Sequence, residues 1–287
     1  MSNDHVYLSL AEASSEGDAH WAFGTGFQDP LHGVDTAVPA GVDRAGLAAY
    51  CLVLGDDALV LAQRLAQWCT HAPELEEEVA LANIGLDLLG QARLLYSRAG
   101  QADGSGRTED DFAYFRDAGD FRNVRLAELP NGDFAFSTAR LLVLSAWRLA
   151  LFQRLAGSAD PVLAAVAGKG VKELAYHREY AARWTMRLGD GTEYSHGRMR
   201  RAVDEVWPYV EELFAPDEGG FGVDPADVRG AVEGTLAQVL TAATLAAPAA
   251  LPRSGADGGR GGAHTEHLGP LLAELQSVAR AHPGAAW

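Results

Sequence analysis

The stretch PELEEEVALANIGLDLLGQARLLY, residues 73 to 96, decides the fold. Pro73 is followed by Glu74, Glu76, Glu77 and Glu78. A proline in the first turn, with acidic side chains at the positive end of the dipole, predicts a helix beginning there. Two apolar stripes then run along it. Leu75, Val79, Ala82, Leu86 and Leu89 form one, and Leu81, Ile84, Leu88 and Leu95 the other. A helix apolar on two sides lies inside a bundle or beneath a partner.

Working outward, helical periodicity also spans about 43–68, about 133–157 after the turn Pro130-Asn131-Gly132, and a segment opened by Asp160-Pro161 and closed by Gly189-Asp190-Gly191. A short helix is expected near 109–116, and further helices at about 195–214, from Asp224-Pro225, and at about 269–281. Strand-like alternation is almost absent. The expected fold is therefore all-α, with four long helices in two pairs joined by one longer crossover, the layout of a ferritin-like four-helix bundle. The bundle core would occupy about 43–190, with additional C-terminal helices over 195–287. Residues 1–42 read as an irregular N-terminal extension with Trp21, Phe23 and Phe27 as apolar anchors. Pro252 to Ala263, with Gly255, Gly258, Gly259, Gly261 and Gly262, reads as a flexible loop.

With 48% hydrophobic residues among 287, the chain can bury a sizeable core. Its net charge of -16 argues against a nucleic-acid partner or a membrane surface, since phosphate binding needs clustered Lys and Arg. The first 20 residues have neither a basic nor an apolar signal region, so a cytoplasmic location is expected. The longest uncharged stretch, Thr235 to Pro252, carries Gln238, three threonines and two prolines and makes a poor membrane span. Cys51 and Cys69 would lie roughly 27 Å apart if they shared one helix. That is too far for a disulfide, and both are expected to be buried, reduced thiols.

Di-iron carboxylate bundles take one carboxylate from each of two helices and a Glu-x-x-His pair from each of the other two. The second helix here offers Asp87-Leu88-Leu89-Gly90-Gln91, and the fourth Glu173-Leu174-Ala175-Tyr176-His177. Aligned on Gln91 and His177, both have leucine, at positions 88 and 174, where the glutamate belongs. The third helix has no Asp or Glu between Phe134 and Ala159, and the first has only Asp56 and Asp57 in its interior. Such a set leaves two metal ions undercoordinated, so no metal, cofactor or catalytic residue is assigned to this chain. Asp87 with Gln91, and Glu173 with His177, are expected to form hydrogen-bonded pairs within their own helices. His264-Thr265-Glu266-His267 has no recognised ligand spacing, and hydrogen bonds pinning the C-terminal segment are expected of it. Walker, Rossmann, G-x-S-x-G and paired CxxC signatures are missing.

The runs Gly55-Asp56-Asp57, His71-Ala72-Pro73-Glu74-Leu75, Leu81 to Arg93, Pro130-Asn131-Gly132-Asp133-Phe134, Lys172-Glu173 with Tyr176-His177, and His264 to Pro270 resemble the family of structural subunits of bacterial ring 1,2-phenylacetyl-CoA epoxidases. The likeness covers about residues 47–287. It implies a non-catalytic member of the ferritin-like di-iron superfamily, working in the ring-oxygenating monooxygenase of aerobic phenylacetate catabolism. It further implies a separate catalytic subunit carrying the di-iron centre, a small bridging subunit, and a reductase with FAD, an iron-sulfur cluster and NADPH. The N-terminal extension departs from the family pattern and leaves contact with a partner through Trp21, Phe23 and Phe27 open.

Two other readings stand beside this one. An independent metal-dependent oxygenase would use Asp57, Asp87, Glu173 and His177 in an unusual site. A helical storage protein would need an iron-oxidation centre, which the ligand inventory does not supply.

Overall fold

The computed structural model describes residues 31–215, 221–248 and 258–285. The anchors Trp21, Phe23 and Phe27 lie outside them. Nine α-helices and no strand occur among the described residues. They are α1 (Arg44–Ala66), α2 (Leu75–Asp103), α3 (Glu109–Tyr114), α4 (Arg125–Glu128), α5 (Phe134–Leu155), α6 (Pro161–Gly189), α7 (Glu193–Val206), α8 (Arg229–Ala242) and α9 (Leu268–Ala281).

The long helices start where local chemistry stops alternatives. Asp43, Asp133 and Asp160 accept hydrogen bonds from the free amides of Ala45, Phe136 and Leu163 at the starts of α1, α5 and α6. Each such cap is worth about 1 kcal/mol. At α2 the expectation needs correction. Pro73 sits ahead of the helix rather than in its first turn, and Glu74 is the N-cap, with no side-chain cap bond; Glu76, Glu77 and Glu78 do occupy that turn. The helix ends at Gly104, whose left-handed φ of 71° suits glycine.

α1 packs along α2 and α5 along α6, and the second pair closes onto the first mainly through α2 and α6. This is the ferritin-like order. The crossover holds α3 and α4, the latter not foreseen from sequence. α7 and α8 both pack on α5 and α6, and α9 lies against α3. One hydrophobic core runs through all of these elements. The fit is close where α1 meets α2: a Cβ on Gly55 would come within 2.6 Å of Tyr96 Cε1. Arg98 on α2 forms a buried ion pair with Asp160, the cap of α6, and so ties the two pairs together.

Three sequence expectations are revised here. The helix expected over 195–214 is α7 followed by two short 3₁₀ turns, because Pro208 has no amide to continue the ladder. Cys51 is buried but Cys69 is exposed, past the end of α1. Of the Gly-rich loop, residues 258–263 are held by specific hydrogen bonds rather than free; residues 252–257 lie outside the described ones.

α1 and α5 are each long and apolar enough to cross a membrane, which the sequence reading, resting on Thr235 to Pro252, passed over. Their most apolar windows are 72% and 83% buried within the protein, as core helices of a bundle are.

Candidate functional site

The four long helices enclose a small cavity with about 10 Å³ of room for the centre of a water molecule, lined by Asp57 and Leu61 from α1, Leu88 from α2, Trp147 and Arg148 among others from α5, and Leu174 and His177 from α6. Asp57, Leu88, Leu174 and His177, singled out in the sequence, therefore converge, while Asp87, Gln91 and Glu173 stand outside the lining. Leu88 and Leu174 are buried in its wall, so methyl groups stand where carboxylates would be needed to hold metal.

The polar side chains around this wall are paired, but not as expected. No hydrogen bond joins Asp87 to Gln91 or Glu173 to His177; instead the partners are exchanged between helices. His177 Nε2 lies 2.9 Å from Asp87 Oδ2, and Gln91 Nε2 donates to Glu173 Oε2 at 2.9 Å. At i and i+4 the side chains share a face, yet each of these bonds a partner on the facing helix. His177 is fully buried, whereas the Asp87 side chain is 36% exposed, so the pair runs from the interior to the surface. Nδ1, on the other side of the ring, finds no partner among the described residues.

A buried cation completes the set, and the sequence reading missed it. Arg148 on α5 donates from Nε to Gln91 Oε1 at 2.9 Å and from Nη1 to the Leu54 carbonyl at 3.1 Å. Its guanidinium lies over the Phe152 ring at 4.5 Å. Burial pulls its pKa down to about 10, with Asp57 opposing the shift. The sequence signal was there: Arg140 and Arg148 are charged residues inside a helix that is apolar on nearly every side, a place where a charge is drawn into the core.

Asp57 is 5% exposed. Its Oδ1 accepts from the Val124 amide at 2.8 Å, and its Oδ2 from Arg260 Nη2 at 2.8 Å. Burial raises its pKa, with Arg260 and then Arg148 working against that rise. The neighbouring Asp56 faces the other way, accepting from Tyr96 Oη at 2.6 Å and from the Arg122 amide at 2.7 Å. It holds the crossover and is no part of the cavity.

Arg260 belongs to a C-terminal strap, residues 258–268, that crosses this end of the bundle. It also donates to the Arg122 carbonyl at 2.7 Å. His264 places Nδ1 2.9 Å from Glu128 Oε2 and Nε2 2.9 Å from the Phe121 carbonyl. Both neighbours are acceptors, so both ring nitrogens carry protons. Burial opposes that charge, but the Glu128 and Phe121 hydrogen bonds outweigh it and raise the pKa. The hydrogen bonds expected of the 264–267 segment are thus present at His264 and at the Thr265 amide, which donates to Glu128 Oε1.

Among the described residues, no group of three or more His, Cys, Asp and Glu side chains is arranged to hold a metal ion. The residues do not fit a di-iron centre. Two of the would-be ligand positions are leucine, Gln91 is engaged by Arg148 and Glu173, and Asp57 is engaged by Arg260.

Outside the bundle, the two stripes of α2 have different fates. Leu81, Ile84, Leu88 and Leu95 are buried. Leu75, Val79, Leu86 and Leu89 are 72%, 52%, 54% and 37% exposed, and Tyr176 on the neighbouring α6 is 49% exposed.

A family model described as phenylacetic acid catabolic protein matches residues 33–287. The chain is 47% identical over 248 residues to the C subunit of the 1,2-phenylacetyl-CoA epoxidase of Escherichia coli (strain K12); the match covers 84% of this chain and 99% of that protein.

Proposed function

The chain belongs to the phenylacetic acid catabolic protein family, and from that premise we propose that it is the non-catalytic structural subunit of a phenylacetyl-CoA 1,2-epoxidase complex. A separate catalytic subunit carries the di-iron centre and the thioester substrate. A reductase holding FAD and an iron-sulfur cluster brings electrons from NADPH, and a small subunit bridges the parts. The complex works in the cytoplasm, and this chain supports the catalytic subunit without redox chemistry of its own.

One observation carries the reading: the place where four helices would converge on metal is closed by Leu88, Leu174 and the Arg148–Gln91 hydrogen bond. A second supports a docking surface on α2. The exposed stripe of α2, with Tyr176 beside it, is an apolar face of the kind that marks protein contacts, and the catalytic di-iron subunit is its proposed occupant.

The test is co-purification. The chain is expected to co-elute with the di-iron catalytic subunit of the same complex, and to hold iron at background when loaded alone with Fe(II) under anaerobic conditions. Failure to bind that subunit overturns the proposal. So does oxygen-dependent turnover by the chain alone that is lost in His177→Ala, which would establish the independent oxygenase.

A further inference from the structure

The cavity between the four long helices gathers polar atoms that the fold leaves unbonded. Five buried side-chain nitrogen or oxygen atoms have no hydrogen-bond partner among the described residues, and three of them, Trp147 Nε1, Arg148 Nη2 and His177 Nδ1, belong to residues lining this one small space. Buried polar groups are nearly always bonded, because each one stranded away from water keeps its full desolvation cost. The other polar side chains in the wall already have partners: Asp57 accepts from Val124 and Arg260, and Ser145 donates to the Leu142 carbonyl. Cavities that stay dry are lined by apolar groups alone. Three unbonded polar atoms around one cavity mark it as the place of a polar guest.

We infer that the cavity is the binding site of one internal water molecule, which bridges α5 to α6 through Trp147, Arg148 and His177. Size and donor set both select that guest. The cavity has about 10 Å³ of room for the centre of a water, enough for a single molecule. Arg148 Nη2 and Trp147 Nε1 are N–H groups that only donate, whereas a histidine ring nitrogen donates or accepts. A water accepts from the two N–H groups with its two lone pairs and gives a hydrogen to His177 Nδ1. A halide has no hydrogen to give and would share the wall with the Asp57 carboxylate, and a metal ion accepts nothing from an N–H. The water also joins two sets of bonds already described. On one side His177 Nε2 meets Asp87. On the other, Arg148 is bonded to Gln91, and Gln91 to Glu173, which pairs with Lys169 at 3.2 Å. Through the water these become one continuous hydrogen-bonded chain that runs from Asp87 across the bundle interior to Glu173 and links α2, α5 and α6. The assignment is independent of which partner the protein has.

The test is diffraction from crystals of the full chain grown once in chloride and once in bromide, at a resolution where ordered waters are placed. One peak is expected within hydrogen-bond distance of Trp147 Nε1, Arg148 Nη2 and His177 Nδ1, with the same height in both salts. A cavity without density overturns the inference. So does a peak that strengthens in bromide, which would make the guest a halide. A solution measurement decides independently of crystals. Trp147 is 2% exposed, so bulk solvent does not reach its indole proton, and a nuclear Overhauser effect from water to that proton is expected from a long-lived internal molecule. The indole signal is assigned by its loss in Trp147→Phe. A resolved indole signal with no such effect in the wild type refutes the site.

Discussion

Asp87 on α2 and His177 on α6 are joined across the helix pair, Oδ2 to Nε2 at 2.9 Å, with the imidazole fully buried and the carboxylate reaching solvent. Neither residue bonds the neighbour on its own helix that the sequence spacing suggests. The pair therefore works as a cross-brace between the two halves of the bundle.

Removing one end of that brace should cost more than substituting it. Asp87→Ala leaves His177 with neither ring nitrogen bonded inside the protein, a loss of about 1–3 kcal/mol for a buried unsatisfied group. Asp87→Asn retains an acceptor for Nε2 and should cost less than half as much. Urea unfolding of the two variants beside the wild type checks the ordering.

The strap should loosen as pH rises. His264 is held protonated between Glu128 and the Phe121 carbonyl, and its pKa is raised. A raised histidine contributes its full stability below the ordinary value near 6.5 and loses it as pH climbs through the folded pKa. Wild-type stability should thus fall as pH rises above the ordinary histidine value near 6.5, with faster amide exchange over 258–268. In His264→Ala that pH-dependent part should be missing. A wild-type profile as flat as the variant's would contradict the assignment.

Arg260 and Asp57 test what burial does to an ion pair. Their side chains are 15% and 5% exposed, so Arg260→Met should cost about 3–5 kcal/mol by stranding a carboxylate in the interior. The pair Arg183–Glu179, exposed by 65% and 54%, should show no measurable loss on Arg183→Met. Chemical denaturation of both variants gives the comparison directly.

The two stripes of α2 should separate stability from association. Ile84→Ala, in the buried stripe, should cost about 2–5 kcal/mol. Leu86→Glu, in the exposed one, should change stability by no more than about 0.5 kcal/mol and yet abolish co-elution with the catalytic subunit. Retained co-elution would move the docking surface elsewhere on the chain.

Much of this was legible in the residues themselves. Asp160-Pro161 announced its helix, because capping is local chemistry. The paired motifs ending in Gln91 and His177 pointed to one internal site, because a helix of 3.6 residues per turn fixes which side chains share a face. Pro208 was overlooked as a breaker, and α4 is a single turn, too short to show a period. Cys69 was expected inside because free cysteine is among the most buried residue types, a tendency that its place past the end of α1 does not follow.

What sequence alone determined is the set of elements and the deficit: long amphipathic helices in a ferritin-like order, with leucine at positions 88 and 174 and no acid along the third helix. Both follow from residue type and local spacing. Tertiary structure decided how the remaining charges are matched: Asp87 with His177, Gln91 between Glu173 and Arg148, and Asp57 with an arginine 203 residues away in the strap. It also decided which stripe of α2 is left open. The physical reason is that a hydrogen bond across a bundle depends on the rotation and offset of helices set by the packing of the whole core, and no local window of the chain carries that information.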